Sequence, residues 1–135
     1  MADHYSVRMT GGVTMPDIRI VPANEASWED LQAIFGTRGD TSRCQCQHYK
    51  ILECDWRSVP VEERAFRLRD QTDCGHPESG TTTGLVAYLA GEPVGWCAVE
   101  PRTEYPRLLV MPIPWAGRAQ DKTDDGVWAV TCFVT

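Results

Sequence analysis

The chain has 135 residues, of which 42% are hydrophobic and 9% aromatic, a composition that suits one folded domain and excludes a disordered chain. Thirteen Lys and Arg stand against nineteen Asp and Glu, and the resulting net charge of −6 disfavours nucleic acid as a partner. No apolar run is long enough to cross a membrane and the N-terminus lacks the apolar core of an export signal, so the sequence reads as cytoplasmic, with its six cysteines as free thiols.

Residues 1–16 mix Gly11, Gly12, Ser and Thr with scattered charge and read as a flexible leader; Met9 and Met15 serve equally well as starts. A domain is expected over residues 17–135. Ile18-Arg19-Ile20-Val21, closed by Pro22, predicts a short strand. Ser27 followed three residues later by Asp30 resembles a capping box, and Trp28, Leu31 and Phe35 recur on one helical face that Gly36 and Gly39 bring to an end. Residues 36–58 hold Cys44, Cys46 and Cys54 and predict an irregular loop with at most one helical turn. Pro60 opens a second helix, with Glu62 and Glu63 near its positive end and Val61, Ala65 and Leu68 as its apolar stripe.

Two apolar runs, residues 84–89 and 94–99, flank Ala90-Gly91-Glu92-Pro93 and predict a hairpin, with Gly91 at a positive φ and Pro93 at the start of the returning strand. Residues 101–126 are proline-rich without a period and predict a long connection. Residues 127–134 are apolar on both faces, because Trp128, Val130, Cys132 and Val134 alternate with other apolar groups and Thr131. That pattern predicts a central, covered strand.

The order strand, helix, loop, helix, hairpin, connection, strand resembles the first half of the GNAT-type N-acetyltransferase fold. Three local sequences carry the resemblance: the hairpin around Gly91-Glu92-Pro93-Val94-Gly95, the run Asp121 to Val134 into the last strand, and Cys44-Gln45-Cys46-Gln47. The resemblance implies an α/β domain with a mixed, largely antiparallel sheet of about four strands and two N-terminal helices. It implies acetyl transfer from acetyl-CoA to an amine, either a small molecule or a protein N-terminus or lysine. The main chain of Cys132, Phe133 and Val134 would face the pantetheine arm, and Glu100, at the end of the third strand, would accept a proton from the amine. The family's pyrophosphate loop, a glycine-rich turn at a helix N-terminus, would follow Thr135, so the sequence is expected to be an incomplete domain, inactive alone. A truncated product, half of an enzyme completed by another chain, and a non-catalytic binding module compete as accounts of this. The first is favoured, because an uncovered last strand would force self-association or poor solubility.

A reading from another class is a small metal- or redox-binding protein built on Cys44, Cys46, His48, Cys54, Cys74 and His76, although Cys-x-Cys is a poor spacing for structural zinc. Arg43 beside Cys44 is a candidate activator of that thiol, whereas Cys97 and Cys132 fall in apolar strands and read as core. Trp28, Trp96 and Trp128 sit in patterned elements and read as core too. His4 falls in the leader. Asp121, Asp124 and Asp125 form an acidic loop that lacks a calcium-loop pattern.

Overall fold

A computed structural model describes residues 16–52 and 55–135, so residues 1–15 of the expected leader and Cys54 lie outside the described residues. Four strands pair antiparallel in chain order: β1 (Ile18–Pro22), β2 (Gly84–Leu89), β3 (Glu92–Pro101) and β4 (Trp128–Val134). Four α-helices accompany them among the described residues: α1 (Trp28–Phe35), α2 (Gly39–Cys44), α3 (Val61–Thr72) and the short α4 (Pro106–Val110). The fold is α/β, with an antiparallel sheet.

The hairpin forms where the two apolar runs predict it. Ala90 and Gly91 both take positive φ, 50° and 86°, the backbone of a primed turn whose twist matches the strands it joins. Val94 is an extra residue opposite the Ala87–Tyr88 step, and Thr131 is a second one on β4. Gly84 answers a different need. A Cβ at that position would sit 2.3 Å from the Cys97 carbonyl oxygen and 2.6 Å from the Trp96 ring.

One face of the sheet builds the core. Val86, Tyr88, Trp96 and Ala98 are buried there against Leu31 and Phe35 of α1 and Leu68 of α3, and Cys132 and Val134 pack at its margin. Phe35 and Trp96 set their rings 6.2 Å apart. The Ser27 hydroxyl caps α1 by accepting from the Asp30 N–H at 3.0 Å. The reciprocal arm of the expected capping box is missing, because the Asp30 carboxylate accepts from the Tyr88 hydroxyl at 2.7 Å instead.

The structure corrects four expectations. Residues 36–58 are more regular than the sequence implies: Gly36 ends α1, and Gly39 belongs to α2. In α3 the buried positions are Arg64, Leu68 and Thr72, while Val61 is exposed. Arg64 goes inside because its guanidinium donates to the carbonyls of Arg43, Trp56 and Arg57, fastening the loop to the helix. The 101–126 connection contains α4 and two 3₁₀ turns, and buried Arg102 donates to the Gln120 side chain and the Asp121 carbonyl. Last, β4 is not central. It pairs with β3 alone among the described residues, and Trp128, Val130 and Phe133 are 62%, 55% and 72% exposed.

Candidate functional site

Alternation along β3 decides where Glu100 goes. Trp96 and Ala98 face the core, so Glu100, two residues on, continues that face and carries a carboxylate to its rim. Burial there demands a partner. Lys50, from the turn after α2, supplies one at 2.6 Å, and its ammonium also reaches the Thr83 hydroxyl at 3.3 Å and lies 5.0 Å above the Tyr105 ring. The Thr83 hydroxyl donates to the same carboxylate oxygen, Oε2. The side chains of Lys50 and Glu100 are 10% and 13% exposed, so the pair is largely withdrawn from water. Both bonds fall on Oε2, and Oε1 is left open.

Glu100 also lines a cleft of about 610 Å³, within the range of roughly 300–1,000 Å³ typical of small-molecule sites. Gln71 of α3, Leu85 of β2, Val99 of β3, Glu104 and Trp128 of β4 form other parts of its wall. The exposed Trp128, expected in the core, thus belongs to the cleft. Gln71 is held by a reciprocal amide pair with fully buried Gln47, at 2.8 and 3.1 Å, and Gln45 bonds Gln32 at 2.8 Å. These amides keep the Cys-Gln-Cys-Gln segment in place while Gln45 and Cys46 hold positive φ values of 50° and 56°.

The segment brings Cys46 into the core margin, where the Trp96 indole donates to its sulfur at 3.4 Å. Cys46 lies beside Cys132 of β4, and this contact, with burial, pushes the Cys46 thiol well up and draws the Cys132 thiol below its ordinary range. Tyr105 is buried nearby, and desolvation pushes its phenol up.

The other sequence candidates do not gather. His48 sets its ring edge-on to Tyr49 and Trp56, His76 pairs with Asp73 at 3.0 Å, and Cys74 bonds Thr72. Arg43, next to Cys44, turns to Asp40 at 2.6 Å. Among the described residues no three His, Cys, Asp or Glu side chains converge as a metal site. Cys132, Phe133 and Val134 lie together on β4, opposite Ala98, Cys97 and Trp96, and the outer edge of that strand has no strand beside it among the described residues. No helix is long and apolar enough to cross a membrane among those residues. Sequence reasoning missed Lys50, Thr83 and Tyr105. The Trp96-Ala98-Glu100 alternation is the signal that could have pointed to a buried carboxylate in need of a cation.

No family model, no curated protein and no solved structure matches the chain.

Proposed function

We propose that the chain is the acceptor-binding part of a GNAT-type N-acetyltransferase of the cytoplasm, in which an acetyl group passes from acetyl-CoA to a primary amine. The observation that carries the reading is Glu100: a largely buried carboxylate, clamped on one oxygen by Lys50 and Thr83 and open on the other, at the wall of a cleft of small-molecule size. An amine arrives as an ammonium ion and attacks only after losing a proton. Oε1 of Glu100 receives that proton directly or through water, while Lys50 and Thr83 hold the carboxylate in place.

Acetyl-CoA would supply the activated acetyl thioester. The unpaired edge of β4 fits an extended pantetheine arm, which can add to the main chain of Cys132, Phe133 and Val134 as a strand would. The pyrophosphate has no cradle among the described residues, where no glycine-rich turn leads from a strand into a helix. Binding by this chain is therefore expected to be weak and confined to the pantetheine end. Saturation-transfer NMR with acetyl-CoA tests this: transfer to pantetheine protons with little to adenosine supports the reading, and transfer to neither, or to adenosine alone, overturns it. Slow acetylation of a primary amine is expected to fall roughly 100-fold or more in Glu100→Gln.

The open edge and the exposed Trp128, Val130 and Phe133 favour association with a second copy or another chain. A redox role is the second reading, favoured by the Cys46–Cys132 contact. Its step would join the two sulfurs, releasing two protons and passing two electrons to a disulfide such as oxidised glutathione, which leaves as two thiols. A loss of 2 Da from the intact mass under such treatment, mapped to this pair, supports it; unchanged mass removes it.

A further inference from the structure

We infer that the Glu100 cleft selects a hydrophobic monoamine, one ammonium group on a hydrocarbon or aryl body, rather than a polyamine or a polar amine. Charge gives the first half of the argument. Glu100 and Glu104 stand in the wall and no Lys or Arg does. Lys50 neutralises Glu100, so one carboxylate charge, that of Glu104, remains to be matched. A monocation balances it. A ligand with two or three ammonium groups brings charge that this wall cannot meet, and each unmatched ammonium entering it loses hydration without a partner.

The rest of the wall gives the second half. Leu85, Val99 and the exposed Trp128, which the register puts on the other face of the sheet from Glu100, give the cleft its apolar part, and the Trp128 ring presents a face to which alkyl, aryl or ammonium groups are drawn. A primary ammonium has three hydrogens to donate. Oε1 of Glu100 and the carboxylate of Glu104 are acceptors without a partner among the described residues. The ammonium head goes to these oxygens and the body lies on Leu85, Val99 and Trp128.

This inference rests on the acetyltransferase reading for what becomes of the amine, and not for its binding. The probe set is 2-phenylethylamine, its neutral counterpart 2-phenylethanol, and spermidine, titrated calorimetrically into the full chain without acetyl-CoA. Saturable binding of 2-phenylethylamine is expected, at least tenfold tighter than either of the others. Glu104→Gln and Trp128→Ala alter exposed side chains, keep the Lys50–Glu100 pair, and are each expected to weaken binding several-fold with an unchanged circular dichroism spectrum. Equal binding of the alcohol, tighter binding of spermidine, or no saturation by the amine overturns the inference. Binding of 2-phenylethylamine together with no acetyl-CoA contact upholds the inference and removes the acetyltransferase reading. Acetyl-CoA contact with no amine binding does the reverse.

Discussion

Cys46 and Cys132 meet with thiols shifted in opposite directions, and the consequence is measurable: Cys132 is drawn down and ionises first, while Cys46 is pushed up and resists ionisation. Alkylation with iodoacetamide across a pH series, mapped by mass spectrometry, should label Cys132 at lower pH than Cys46. In Cys46→Ala the Cys132 profile should move to higher pH; an unmoved profile rules out the contact as its cause. Tyr88 gives a second titration. Burial, followed by the hydrogen bond to Asp30, pushes its phenol up to about 12 from the ordinary 10.0. The folded state then holds this proton more tightly than the unfolded chain, so the stabilisation is complete below about pH 10 and is lost as pH rises towards about 12. Tyr88→Phe should flatten that part of the stability curve, followed by urea midpoints, and cost about 1 kcal/mol near neutrality. Glu100→Ala strands the Lys50 ammonium in a largely dry site and should cost about 3–5 kcal/mol in chemical denaturation, with Lys50→Met restoring part of it. The sequence singles out Glu100 through the family resemblance, but none of its partners. Lys50 lies 50 residues away and reads as an ordinary surface lysine until the fold brings it there.

Strands and helices with a clear period were legible, and those whose shape depends on neighbours were not. β1 and the β2–β3 hairpin follow from alternation and turn chemistry, and α1 from its cap and apolar face. α2 is too short and polar to show a period, and α4 is five residues inside a proline-rich connection. In α3 the sequence implies an apolar stripe through Val61, yet Arg64 is buried, because carbonyls supplied by other segments repay the burial of its guanidinium. Composition also misleads about β4: apolar residues on both faces make a strand that can be covered, which is a different property from being covered. The hairpin turn carries its own prediction. Ala90 sits at φ 50°, where an L side chain other than Asn is strained by roughly 1 kcal/mol, so Ala90→Asn should stabilise by up to that amount and raise the thermal midpoint by a few degrees. Gly84→Ala should do the opposite and more strongly, since its methyl would meet the Cys97 carbonyl; an unchanged midpoint would contradict the close approach.

The sheet as a unit has a covered face and an open one. On the open face Ile18 and Ile20 of β1 and Phe133 of β4 are more than half exposed, with half-buried Leu85, Leu89, Cys97 and Val99 between them by register. Sedimentation velocity should find concentration-dependent association that Phe133→Lys weakens, while a monomer at all concentrations would show that water alone covers this face well enough. The same open face bears on how the domain unfolds. Denaturants act on surface that unfolding newly exposes, and so does the heat-capacity change. Apolar groups already wet in the native monomer contribute to neither. A dilute solution of this chain should therefore unfold with a shallower urea slope and a smaller heat-capacity increment than a well-covered domain of its length, giving a broad melt that reflects how little is left to wet.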